Sequence, residues 1–156
     1  MKKYTLVAIV FTLMLAAVAR ADESLAVVVG AKSGVDALSQ AELVKVFKGT
    51  KTKGPDGVKF VIVMREPGSL EREGALKFIY AMTDQEYQKY FLQATFTGAV
   101  TSAPKQLSGA AAVKQFVASN PGAIGYLKAS DLDESVKAVK IDGKAPGDAD
   151  YKLKLK

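Results

Sequence analysis

The chain has no cysteine, no histidine and no tryptophan in 156 residues. Without cysteine there are no disulfides, so the fold rests on its core alone. The missing histidine removes the commonest general base and the commonest transition-metal ligand. Ser-His and Cys-His catalysis are therefore excluded, and a zinc site has no soft donors to draw on. Carboxylate or Ser-Lys chemistry is not excluded by composition, but no spacing singles out such a pair. Dense Lys/Arg tracts interleaved with aromatics are also lacking, which argues against nucleic acid as a partner.

The N-terminus is built like an export signal. Lys2 and Lys3 precede an apolar run from Leu6 to Val18, and Ala19-Arg20-Ala21 supplies a small-x-small cleavage pattern. The other reading of the run is an uncleaved membrane anchor. Cleavage after Ala21 leaves residues 22–156, 135 residues in length, with no membrane span expected after cleavage. That is enough for one domain with a real core. The formal charge falls from +6 to +3 when Lys2, Lys3 and Arg20 are removed. Lysines scattered over solvated helix faces account for the remainder.

Leu25 to Val29 is a continuous apolar run, as in strands buried on both faces. Ser39-Gln-Ala-Glu42 is a capping box. Leu43, Val46 and Phe47 follow at helical spacing, and Gly49 is the stop. Gly54-Pro-Asp-Gly57 turns the chain into a strand over Val58–Met64. A helix is expected over Leu70–Met82, and a second capping box at Thr83-Asp-Gln-Glu86 opens another. Tyr87, Tyr90, Phe91 and Ala94 share one face of that helix and are read as core. Phe96 to Pro104 is irregular. Ser108 is expected to cap a helix that carries Val113, Phe116 and Val117 inward and ends at Asn120-Pro-Gly122. Ala123–Leu127 and Val136–Ile141 read as strands, and Tyr151–Lys156 alternates as an edge strand with lysines facing water. The pattern is α/β, with helices on a mostly buried sheet.

The candidate site is the junction between the central strand and the helix after it. Arg65 ends an apolar run, Glu66-Pro-Gly turns the chain, and Ser69 opens the helix. Unpaired N–H groups and the helix dipole favour an anion at such a point, and an arginine fork can clamp it. On that reading Arg65 grips an oxyanion while the Ser69 hydroxyl and the amides of Ser69 and Leu70 donate to it. The alternative needs no ligand: Ser69 is an ordinary N-cap, Glu71 and Glu73 complement the dipole, and Arg65 pairs with Glu66 or Glu71.

The order of motifs resembles that of bacterial phosphate-transporter substrate-binding proteins. The matching pieces are Leu38–Gly49 with its Phe-x-Gly end, Arg65 before a Gly-Ser turn, Asn120-Pro-Gly-Ala-Ile-Gly-Tyr126, Ile141-Asp-Gly143 and Tyr151-Lys-Leu153. The resemblance implies a three-layer α/β domain like one lobe of a type II periplasmic binding protein. It also implies a non-enzymatic, periplasmic protein without a cofactor. The implied partners are a small oxyanion such as phosphate and an ABC transporter or envelope sensor protein, with homodimerisation as a way to rebuild a cleft. The family loop runs Arg, three residues, then Ser-Gly-Thr. Here Arg65 and Ser69 match, whereas Leu70 stands for the Gly and Glu71 for the Thr. The resemblance thus makes Arg65, Ser69, Leu70 and Glu71 the ligand-binding set, with Glu71 accepting from a protonated phosphate oxygen. A carboxylate there also opposes an anion, by about 4 kcal/mol at ~4 Å and an effective dielectric of 20.

Overall fold

The computed structural model describes residues 23–155. The expected export signal, residues 1–21, and its cleavage site lie outside them. Strand β1 (Leu25–Gly30) is followed by short β2 (Ala37–Leu38), helix α1 (Gln40–Phe47) and strand β3 (Val61–Arg65). Next come α2 (Leu70–Ala75), a π-helical turn (Leu76–Tyr80) and α3 (Asp84–Phe96). The second half contains β4 (Lys105–Leu107), α4 (Ala110–Ser119), β5 (Ala123–Lys128), β6 (Val136–Ala138) and β7 (Lys140–Ile141).

Five strands make a mixed sheet in the order β4-β3-β5-β1-β6. Strand β3 is parallel to β4 and β5, whereas β1 is antiparallel to β5 and β6. Strand β1 shows why a run without polar punctuation suits this place. Leu25, Val27 and Val29 enter the core shared with α1, the π turn and α3, while Ala26 and Val28 face Val113 and Val117 of α4. Helices thus cover both faces, giving the expected three layers. Burial on both faces removes the alternation that marks a half-exposed strand.

Both capping boxes form. Ser39 exchanges bonds with Glu42, and Thr83 with Glu86. Tyr87, Phe91 and Ala94 are buried and Tyr90 packs against the core, as the spacing requires. Tyr80, Tyr87 and Phe91 meet edge-on or tilted, with centroids 4.8–6.2 Å apart.

Several expectations need correction. The strand expected over Val58–Met64 starts at Val61; the preceding residues pair locally through a Lys53–Lys59 bridge. The helix expected over Leu70–Met82 is α-helical only to Ala75. It widens to the π turn and stops at Ala81, which adopts a left-handed conformation at φ 52°. Tertiary bonds hold that wide turn: the Tyr80 hydroxyl donates to the Phe47 carbonyl at 3.1 Å and Gln40 Nε2 to the Phe78 carbonyl at 2.8 Å. Ser108 does not cap α4. Gly109 is the N-cap, at φ 85°, and no side chain of its own closes the turn. The strand expected over Val136–Ile141 divides, because Val139 still donates to Val27 at 2.8 Å before β7 turns away to pair with β2. The tail alternates as expected only over its first three residues, with Tyr151 and Leu153 buried and Lys152 exposed; Lys154 and Leu155 are both half-buried, and Lys156 lies outside the described residues. It forms a single bridge, Ser24–Lys154, rather than a continuous strand. The Leu25 amide donates to the Leu153 carbonyl and that of Leu155 to Glu23, each at 2.7 Å.

Candidate functional site

Strands β3, β4 and β5 run in the same direction, so their C-terminal ends open on one edge of the sheet. This edge is where open α/β sheets place ligand groups. Arg65 ends β3 directly opposite Leu107, the last residue of β4. Two residues after Leu107 comes Gly109, at the start of α4. The register therefore brings a guanidinium and a helix N-terminus to one place.

Arg65 is 7% exposed. Its backbone N–H donates to the buried Tyr126 hydroxyl at 3.0 Å, which fixes the end of β3 to β5. The guanidinium is shared between two carboxylates. Nη1 donates to Glu71 Oε1 at 2.6 Å, while Nε and Nη2 grip Glu66 Oε2 and Oε1 at 2.8 and 3.0 Å. The second contact is a parallel two-bond fork, the strongest geometry an arginine offers to an oxyanion. Glu66 Oε2 also accepts from the Gly109 amide at 3.3 Å. Its carboxyl is held down to about 2, from the ordinary 4.5, chiefly by the Arg65 hydrogen bonds. Those same bonds push Arg65 upward. A carboxylate of the chain thus lies where the arginine fork and the start of α4 converge.

Ser69 is the N-cap of α2. Its oxygen accepts from the Arg72 amide at 3.2 Å and its hydroxyl donates to the Glu66 carbonyl at 2.9 Å. The Ser69 amide points to the same carbonyl at 3.4 Å. Leu70 is the half-buried first residue of α2. Glu71 is 5% exposed and turned to Arg65. The four residues expected to form a site therefore lie together, along with the ion pairs that the alternative reading required.

Glu66 and Arg72 complete the cluster. Glu66 was legible as a partner of Arg65, but its second bond to Gly109 depends on the β3–β4 register. Arg72 carried no sequence signal, since an arginine in a first helical turn is normally solvated. Here it is 3% exposed. Its Nη1 donates to the Arg65 carbonyl at 2.9 Å, its Nε donates to Asp84 Oδ1 at 2.7 Å, and its guanidinium stacks 4.9 Å from the centre of the Tyr87 ring.

A cavity of about 460 Å³ lies at the other end of α4, between Gly30–Ser33 and Val117–Gly122. Its polar groups are largely committed to the chain: Ser33 Oγ accepts from the Val35 amide and Asn120 Nδ2 donates to the Phe116 carbonyl. Among the described residues no group of three acidic, His or Cys side chains is placed to hold a metal, and no helix is long and apolar enough to cross a membrane.

No family model and no curated protein matches the chain. Solved structures do. A phosphate ABC transporter substrate-binding protein from Clostridium perfringens, with bound phosphate, aligns with a TM-score of 0.65 and 24% identity, over 80% of this chain and 47% of its own. An ABC-type phosphate transport receptor from Vibrio cholerae aligns at 0.64 and 21%, over 80% and 48%. PstS from Borrelia burgdorferi aligns at 0.59 and 14%, over 80% and 49%. The chain spans about half the length of the solved structures it matches, and what it shares with them is the α/β fold.

Proposed function

We propose that this is an exported, periplasmic, non-enzymatic protein of the phosphate-binding type, which holds phosphate or a related oxyanion at the Arg65 junction. The observation that carries this reading is the Arg65 fork. It already grips a two-oxygen anion beside the Gly109 amide, and that anion is a side chain rather than a ligand. The likeness in fold to phosphate-binding structures supports the same conclusion. Arg65 would clamp the ligand, with Ser69 and the amides opening α2 at its side. On this reading the ligand is held weakly, or with a second copy or an ABC transporter covering it.

A thermal-shift titration with phosphate, alongside Arg65→Ala, tests this. One-site linkage gives about 2.7 kcal/mol of stabilisation at a hundredfold excess over Kd. A rise in wild type that the variant lacks is the expected result. No rise in either at tens of millimolar phosphate sinks the reading.

A second reading is favoured by the completeness of the Arg65 ion pairs. On this reading the junction is structural, and the protein is an interaction module that docks on an envelope sensor or transporter. It expects no phosphate response, together with a partner that co-purifies from envelope extract and is lost when the C-terminal edge of the sheet is altered.

A further inference from the structure

Glu66 differs from the other acids of the cluster. Glu71 is buried, and its contact with Arg65 uses Nη1. The Glu66 side chain is 32% exposed and takes the other edge of the guanidinium, Nε and Nη2. It also supplies the acceptor for the Gly109 N–H, at a helix start that has no side-chain cap of its own. Resting on the proposed function, we infer that Glu66 is an in-chain competitor for the oxyanion: its carboxylate fills the ligand position, and a ligand enters only by displacing it into water.

The physical argument is one of exchange. A phosphate that replaces Glu66 regains the two-bond fork and the Gly109 amide, so the protein–anion bonds are nearly conserved. What differs is the tether. Glu66 is the residue next to Arg65, so its carboxylate competes at the high effective concentration of a short linker. Apparent affinity falls by the fraction of molecules in which the position is open. Glu71 remains in place throughout and orients the guanidinium. Glu66 is therefore the residue that sets how tightly this junction holds its ligand, and it sets it low.

Isothermal titration of the purified protein with inorganic phosphate tests this, using wild type, Glu66→Ala, Glu66→Gln and Glu73→Gln. Glu73 is an exposed acid in the first turn of α2 and reports the effect of removing a charge without opening the position. Glu66→Ala is expected to bind phosphate at least tenfold more tightly than wild type. Glu66→Gln, which keeps the shape and loses the charge, should gain less, and Glu73→Gln should change affinity less than threefold. Circular dichroism melts establish that each variant is folded, and Glu66→Gln decides the question if the alanine variant is not. Equal or weaker binding in the folded Glu66 variants overturns the competitor role while leaving phosphate binding intact. A gain in Glu73→Gln as large as that in Glu66→Ala also overturns it. Absence of phosphate heat in wild type and every variant overturns both this role and the proposed function.

Discussion

The phenolic oxygen of Tyr126, on β5, accepts the backbone N–H of Arg65 at 3.0 Å, so the residue that grips the Glu66 carboxylate is held by a neighbouring strand. Tyr126 is 1% exposed, and burial pushes its hydroxyl well above the ordinary range, so it stays protonated. Replacing it with phenylalanine leaves the Arg65 N–H buried without this acceptor. Tyr126→Phe should destabilise the protein by about 1–3 kcal/mol, read from urea denaturation, with the helix content of the folded state unchanged.

Arg72, on α2, is tied to the end of β3 through the Arg65 carbonyl and to α3 through both Asp84 and the Tyr87 ring. Arg72→Ala should cost about 3 kcal/mol, because a buried carbonyl and a carboxylate both lose their donor. Arg72→Lys should recover less than half of that, since a single ammonium cannot match the fork. Asp84→Asn should cost less than Arg72→Ala, because the Asp84 side chain is 38% exposed and water can replace the arginine. Equal losses for Arg72→Ala and Asp84→Asn would show that the pair, not the three-way tie, is what matters.

Stability should depend on acid in a defined window. Glu66, Glu42 and Asp133 each titrate near 2 in the folded protein, against ordinary values of 4.5, 4.5 and 3.8. Arg65 is the chief cause for Glu66, Lys51 for Glu42 and Lys114 for Asp133. Carboxyls depressed in this way stabilise the fold above their unfolded values and lose that contribution as pH falls through their folded values. The melting temperature should therefore be flat from pH 7 to about 5 and decline toward pH 2. Glu66→Gln should flatten part of that decline. A profile for Glu66→Gln that parallels wild type would refute the assignment.

On the outer face of α3, Phe96 is 90% and Leu92 75% exposed. Neither belongs to the core, so Phe96→Ser should change stability by less than about 0.5 kcal/mol. A larger loss, measured on dilute protein, would mean that the face is covered in solution.

Much of this architecture is legible in the sequence because local and tertiary forces agree there. The capping boxes at Ser39 and Thr83 are complete within four residues, and β1 needs only its apolar run. The α/β class follows from those same elements, whereas its three layers are implied by the family resemblance. What escapes is set by distant contacts. The π turn at Leu76–Tyr80 is held by Gln40 and Phe47, far away in the chain. Strand β4 is short, polar and exposed, so its periodicity is silent. Ser108 reads as a cap, yet the turn into α4 needs the positive φ of Gly109, and the acceptor for its amide comes from Glu66. For the candidate site, Arg65, Ser69, Leu70 and Glu71 lie within one short stretch of sequence and so are visible as a group. The convergence of Glu66 and Gly109 exists only once β3 and β4 are in register.

The bridge between Ser24 and Lys154 has a topological corollary. Adjacent strands lie roughly 5 Å apart, so the two ends of the described chain sit side by side. Chain order is then separable from architecture. A circular permutant that joins these ends through a short glycine linker and opens at the exposed Gly98 would retain the sheet, both helical layers and the Arg65 junction. Such a molecule would place its new termini beyond α3, away from the edge where Arg65 lies. The molecule could then be tethered to a surface or fused to a reporter through those termini, leaving the Arg65 edge uncovered.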